Sequence, residues 1–256
     1  MPKLHSSKSG QGPNLVLLHG WGSSSKVWQN LAGRLDTRFQ VWCIDLPGHG
    51  DSHAVQWDGS TEQGIRLLAE VMPETGIVIG WSLGGLMAQL YARQFPQRVT
   101  RLLLVSSAPR FTAAGEWPNG TAPEALSEFS RRYARVSLQA LRTFCALQVL
   151  KAERAGDTLA VLHDSMSAHP RHAEKIVWGL KWLEQIDLRA DAELGSIPVR
   201  LLHGEQDQVL SVRAAQDTVH IWRQAQLERV AQAGHAPFVS HPDRFLQWLD
   251  RCTNDE

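Results

Sequence analysis

The sequence predicts an α/β fold: a mostly parallel central sheet flanked by helices, with a helical cap inserted into it. Two features predict it. Short, continuously apolar runs alternate with helical patterns along most of the chain, and one long stretch, 110–186, strings helical patterns together with no strand between them.

The apolar runs cover 15–19, 41–45, 76–80, 101–105 and 199–203, with a weaker one at 226–230. A strand buried on both faces of a parallel sheet needs such unbroken apolar character. Helical periodicity lies between the runs. Segment 61–72 puts Ile65, Leu68, Ala69 and Met72 on one face; segment 83–95 carries Leu86, Leu90 and Ala92 and is followed by Pro96, which cannot continue a helix. Segments 212–222 and 242–252 repeat the pattern. Strand and helix in alternation imply βαβ units with right-handed crossovers. The stretch 110–186 opens on a turn-rich segment, 113–120, followed by helix-like runs at 123–136, 138–150, 157–167 and 171–184. That is too much helix for one crossover. The expected division is therefore a core of 1–109 and 187–256 with a cap of 110–186.

Composition narrows the class. With 43% hydrophobic and 20% charged residues over 256 positions, the chain is neither disordered nor fibrous. Lys plus Arg number 26 and Asp plus Glu number 26, so the net charge is zero, which argues against nucleic acid as the main partner. Cys43, Cys145 and Cys252 are odd in number and far apart, which suggests no disulfide framework and a reducing compartment. No apolar leader opens the chain and no apolar run reaches the roughly 18 residues of a membrane span. The expectation is a soluble, cytoplasmic, monomeric protein with no membrane or nucleic-acid partner.

Gly80-Trp81-Ser82-Leu83-Gly84 joins an expected strand to an expected helix. A sharp strand-to-helix turn crowds the backbone, so small residues must flank its tip, and the turn lifts the serine hydroxyl off the sheet beside the unpaired N–H groups of a helix N-terminus. A serine needs a base to be a nucleophile. His235, in Ala233-Gly234-His235-Ala236-Pro237-Phe238, and Asp207, in His203-Gly204-Glu205-Gln206-Asp207, follow the last two expected strands. Ser82, Asp207 and His235 stand in the chain order this turn requires and are the expected catalytic residues. His19-Gly20-Trp21-Gly22 follows the first strand, and its glycines permit close backbone approach. The backbone N–H groups of Trp21 and Leu83 are then the expected oxyanion donors, each worth about 3–4 kcal/mol of barrier. His19 and the loop 45–52 read as structural, and spacing does not place His49 or Asp51 at the site. Trp21 and Trp81, beside the nucleophile, are expected to wall an acyl pocket; Trp178 and Trp182 are read as packing, and Cys145 as a small apolar side chain. No metal site is expected: His169-x-x-His172 lacks partners. There is no phosphate-binding loop.

Together these motifs resemble the α/β-hydrolase family over nearly the whole chain. Within it, Leu17-Leu18-His19-Gly20-Trp21-Gly22, Gly80 to Leu86, Glu116-Trp117-Pro118, Ala146-Leu147-Gln148 and Gly234 to Pro242 are similar to the pimeloyl-[acyl-carrier protein] methyl ester esterases of biotin biosynthesis. The resemblance implies a serine carboxylic-ester hydrolase without a cofactor. It implies substrate contacts at Trp21, Ser82, Leu83, Phe144, Cys145, Ala146, Leu147, Gln148 and His235, and docking of an acidic carrier protein that bears the ester. From 126 to 155, Arg131, Arg132, Arg135, Arg142, Lys151 and Arg154 stand against Glu128 and Glu153, a local charge of +4 suited to such docking. Two other readings stay open: a general carboxylesterase acting on small esters, and a ligand-binding protein of the same fold with little turnover.

Overall fold

The computed structural model describes residues 3–166, 174–190 and 194–254. Its strands are β1 (Ser6–Ser9), β2 (Asn14–Leu18), β3 (Gln40–Ile44), β4 (Gly76–Trp81), β5 (Val99–Val105), β6 (Val199–Gly204) and β7 (Gln226–Val230). They form one sheet in the order β1-β3-β2-β4-β5-β6-β7, parallel throughout except for the β1–β3 pair. Around it lie α1 (Gln29–Leu35), α2 (Thr61–Ala69), α3 (Leu83–Gln94), α4 (Pro123–Gln148), α5 (Ala155–Asp164), α6 (Val177–Gln185), α7 (Val212–Ile221), α8 (Pro237–Ser240) and α9 (Pro242–Asn254).

Side chains alternate across a strand, so the unbroken apolar runs feed two cores. Val16, Leu18, Val78, Leu102, Leu104 and Leu201 face one side with Ile65 and Leu68 of α2 and Leu86 and Tyr91 of α3. Leu15, Leu17, Ile77, Ile79, Leu103 and Leu202 face the other with Leu31 and Leu35 of α1 and Phe245, Trp248 and Leu249 of α9. Each such side chain, fully buried, contributes about 1.5–3 kcal/mol. The Ser60 hydroxyl accepts the Gln63 N–H at 3.2 Å and caps α2.

Three differences from the sequence reading have physical causes. β1 is Ser-Ser-Lys-Ser, an exposed edge strand held by its antiparallel backbone register, Ser6 opposite Ile44 and Ser9 opposite Val41, so it carries no apolar signal. The short α1 and α8 are also additional to the expected helices. The expected helices at 123–136 and 138–150 are two limbs of α4, joined at Val136, where the backbone leaves helical geometry (φ −139°, ψ 58°). The helices expected at 157–167 and 171–184 correspond to α5 and α6; residues 167–173, with His169 and His172, lie outside the described residues. Helices α4 to α6 sit between β5 and β6 in sequence, and α6 meets α3. Among the described residues no helix is long and apolar enough to cross a membrane.

Leu17 has no exposed surface, whereas Leu138 in α4 is 44% exposed. Leu17→Ala is expected to lower unfolding free energy by about 2–5 kcal/mol, and Leu138→Ala by no more than about 0.5 kcal/mol, in urea titrations.

Candidate active site

The site is built on the turn from β4 to α3. Ser82 is its tip, at φ 54° and ψ −118°, a backbone geometry that non-glycine residues hold only when neighbours impose it. Its N–H donates to Val105 O at 3.0 Å, and its carbonyl accepts from the Ser107 hydroxyl at 3.0 Å and from Gly85 N–H at 2.9 Å. The flanking glycines are sterically required. A Cβ on Gly84 would stand 2.4 Å from Leu18 O, and one on Gly80 2.4 Å from Gly84 O.

Three strand ends converge there. His235 follows β7 and Asp207 follows β6. His235 Nε2 lies 2.9 Å from Ser82 Oγ and its Nδ1 2.7 Å from Asp207 Oδ2. Since the carboxylate accepts Nδ1–H, Nε2 is left with the lone pair that accepts the serine proton. All three residues are buried. Burial alone would raise the Asp207 carboxyl; the facing His235 and His203 rings outweigh it and hold the group well below the usual carboxylate range. Its Oδ1 accepts the N–H groups of Val209 at 2.8 Å and Leu210 at 3.0 Å. Leu83 opens α3, where the first N–H groups lack partners within the helix. The Trp21 N–H makes no hydrogen bond to a backbone carbonyl among the described residues.

Ser82 opens on a cavity of about 160 Å³. The cavity is apolar for a reason visible in helical spacing: Leu126 and Phe129 in α4, Phe144 and Leu147 further along it, and Leu180 and Leu183 in α6 each form an i, i+3 pair on one face. Trp21, Phe111, Ala125 and Val209 add to the apolar wall, with Thr121 and Gln208 as polar groups. The Trp21 indole donates to Ile176 O at 2.7 Å and meets Phe129, Tyr133 and Phe144 edge-on at 5.0–5.5 Å between centroids. Spacing at 126, 129, 180 and 183 was the available signal for residues that the sequence reading did not place at the site.

The residues of the expected contact segment are placed differently from one another. Phe144 and Leu147 line the cavity; Cys145, Ala146 and Gln148 do not. Cys145 turns into the opposite core, where burial pushes its thiol up to about 12, and Ala146 faces solvent. Gln148 instead supplies its carbonyl, which accepts the His235 N–H at 2.9 Å. Trp81 is likewise no wall of the cavity. As the last residue of β4 it points into the core with Trp28 and Phe238, and its indole N–H donates to His235 O at 2.7 Å.

His19 is structural: Nδ1 donates to Gly20 O at 2.8 Å and Nε2 accepts the Leu46 N–H at 3.0 Å. Asp45 accepts N–H groups of Ser25 at 2.6 Å and Asp51 at 2.8 Å, which fixes the 45–52 loop. His49 is buried against His19, and burial first and that ring second bring it down to about 3. Neither His49 nor Asp51 lines the cavity. Folding does bring one ligand atom each of His5, Asp45 and Asp51 within 4.8 Å, a grouping invisible in the sequence, but both Asp45 oxygens already accept N–H groups. Trp182 donates to Gly59 O at 3.0 Å and meets Trp57 edge-on, which is packing; Lys181 covers the Trp178 ring at 3.9 Å. Arg131, Arg132, Arg135, Arg142, Lys151 and Arg154 are all exposed; Arg131 pairs with Glu128 at 2.6 Å and Arg154 donates to Ser240 O at 3.1 Å.

A model of the alpha/beta hydrolase family matches residues 15–248. The chain is 38% identical to the pimeloyl-[acyl-carrier protein] methyl ester esterase of Photobacterium profundum over 94% of both chains. It is 38% identical to that of Nitrosomonas europaea over 98% of this chain and 99% of the relative. Among solved structures, an esterase from Exiguobacterium antarcticum superposes with a TM-score of 0.86 at 20% identity, covering 98% of this chain and 96% of the other. A bromoperoxidase from Bacillus anthracis does so with a TM-score of 0.85 at 17% identity, covering 98% and 95%; at these identities the likeness is one of fold.

Trp81→Phe keeps an aromatic ring and deletes the N–H that serves the His235 carbonyl. The buried acceptor left unpaired is expected to cost about 1–3 kcal/mol in urea unfolding. In steady-state ester hydrolysis kcat is expected to fall while KM stays near the wild-type value.

Proposed function

The chain belongs to the alpha/beta hydrolase family, and on that premise we propose that it is a carboxylic-ester hydrolase that demethylates a pimeloyl ester borne by acyl carrier protein, the ester-cleaving step of biotin biosynthesis. The observation that carries the hydrolase reading is the buried Ser82–His235–Asp207 chain of hydrogen bonds opening on an apolar cavity. The named relatives support the substrate.

Ser82 Oγ attacks the ester carbonyl while its proton passes to His235 Nε2. Asp207 accepts Nδ1–H throughout, fixes the ring and stabilises the imidazolium. Oxygen charge developing on the carbonyl is taken by the N–H groups of Trp21 and Leu83, of which the second adds the helix N-terminal dipole. Methanol departs with the proton from His235. Water, deprotonated by the same nitrogen, then cleaves the Ser82 ester. The acyl methylenes lie along Phe129, Phe144, Leu147 and Leu180, where each buried CH₂ contributes about 0.8 kcal/mol.

We take 1–109 and 187–256 as the core and 110–186 as a cap over the site. Arg131, Arg132, Arg135 and Arg142 lie on α4, and Lys151 and Arg154 on the turn after it. Val136 and Leu138, 48% and 44% exposed, lie among them. An exposed basic strip with apolar residues in its middle suits an acidic carrier protein, with the charges chiefly raising the association rate.

The test compares kcat/KM for pimeloyl-carrier-protein methyl ester with that for a matched small methyl ester. A strong preference for the carrier-linked ester, reduced by salt, is expected. Comparable values would leave a general carboxylesterase, and no turnover above the Ser82→Ala blank would leave a binding protein. Ser82→Ala itself should lose at least about 10⁴-fold in kcat while unfolding like the wild type.

Replacing Arg131, Arg132 and Arg135 together by Ala is expected to lower kcat/KM for the carrier-linked ester at least about tenfold at low salt, with the small ester little changed. Equal losses on both substrates would remove the docking strip.

A further inference from the structure

Asp207 carries a second histidine. His203, near the end of β6, has no exposed surface and takes no part in the proton path described above. Its Nε2 lies 2.8 Å from Leu210 O and 3.1 Å from Asp207 Oδ2. Both neighbours are acceptors, so Nε2 carries a proton. Its Nδ1 is buried and has no hydrogen-bond partner among the described residues. A proton there would be an unpaired buried donor. The ring thus places its Nε2–H between a carbonyl and the triad carboxylate, and leaves Nδ1 without a partner among the described residues.

This contact closes a loop of bonds. Leu210 donates its N–H to Asp207 Oδ1 and accepts from His203 through its carbonyl, while Val209 N–H also donates to Oδ1. Oδ2 is faced by N–H groups from two sides, His235 Nδ1 at 2.7 Å and His203 Nε2 at 3.1 Å. The carboxylate can then neither rotate about its χ2 nor slide along the 207–210 turn without breaking several of these contacts. Packing alone does not account for a histidine here. The two preceding residues, Leu201 and Leu202, fill the cores with hydrocarbon, and an apolar side chain at 203 would avoid an unpartnered nitrogen.

We infer that His203 is a positioning residue of the catalytic site, whose Nε2–H, shared between Leu210 O and Asp207 Oδ2, holds the triad carboxylate against His235. The inference rests on the reading of Ser82, His235 and Asp207 as the catalytic set.

The test is steady-state hydrolysis of a small methyl ester by His203→Leu, which removes the N–H, and by His203→Gln, whose amide nitrogen stands where Nε2 does. A misplacement of about 1 Å at a supporting group can cost about 100-fold in rate, so kcat for His203→Leu should fall at least about tenfold with KM unchanged. His203→Gln should recover most of that loss. Equal kcat losses in both variants, or full activity in a folded His203→Leu, would overturn the positioning role. If His203→Leu does not fold, wild-type enzyme decides: long-range ¹H–¹⁵N correlations of the histidine rings should show His203 protonated at Nε2 alone, and a proton at Nδ1 would overturn the inference. Full activity in Ser82→Ala would instead sink the catalytic set itself, which keeps the two failures apart.

Discussion

The close approach of α3 to the ends of β2 and β4 is the constraint on which the rest of the site depends. Gly84 lies so near Leu18 O and His19 O that no side chain fits, and the chain reaches this approach through Ser82 at positive φ. Two consequences follow from one contact. The serine hydroxyl stands clear of the sheet, and the first N–H groups of α3 lie beside the loop that follows β2 and carries Trp21. Ser107 and Val105, from the neighbouring strand end, hold the strained residue in place from behind. The strain is sustained because hydrogen bonds from three sides over-determine it.

The proton path is fixed by backbone atoms as much as by side chains. The carbonyl of His235 accepts from the Trp81 indole, one residue before the nucleophile, and its N–H donates to Gln148 O at the end of α4. The histidine backbone is thus strung between β4 and the inserted helices. The same limb of α4 sends Phe144 and Leu147 into the cavity. Cavity-lining hydrocarbon and a backbone anchor of His235 therefore sit on one helix end, so a displacement of that helix alters cavity shape and the His235 position together. Asp207 is secured by the turn after β6 and by His203, and that turn is tied to the inserted segment through the Thr121 hydroxyl, which donates to Val209 O at 2.6 Å.

Much of this was legible in the chain itself. The central strands are buried on both faces, so their apolar runs are unbroken and their positions stand out. The turn at Ser82 is legible because crowding leaves only glycine at Gly80 and Gly84, and Asp207 and His235 because they follow strands at the same sheet edge. What escaped was of two kinds. The edge strand β1 is polar, since its stability comes from backbone pairing with β3, and backbone pairing leaves no trace in side-chain pattern. Within the segment 144–148 only Phe144 and Leu147 line the cavity; Cys145 and Ala146 lie off that helix face, and Gln148, which shares it by spacing, sits at the helix end and meets His235 through its carbonyl.

By itself the sequence determined the local pattern: which strand-to-helix turn carries a serine between glycines, which histidine and aspartate follow the last two strands, and which central segments are strands or helices. Those properties depend on neighbours along the chain, on backbone sterics and on the periodicity of burial. The tertiary structure alone decided which face each cap residue shows, that Trp81 braces the base instead of lining the cavity, and that His203 reaches Asp207 beside His235. Each of these depends on the distance between elements far apart in sequence, set by how α4, α6 and the ends of β4 and β6 pack, and no local pattern encodes that distance.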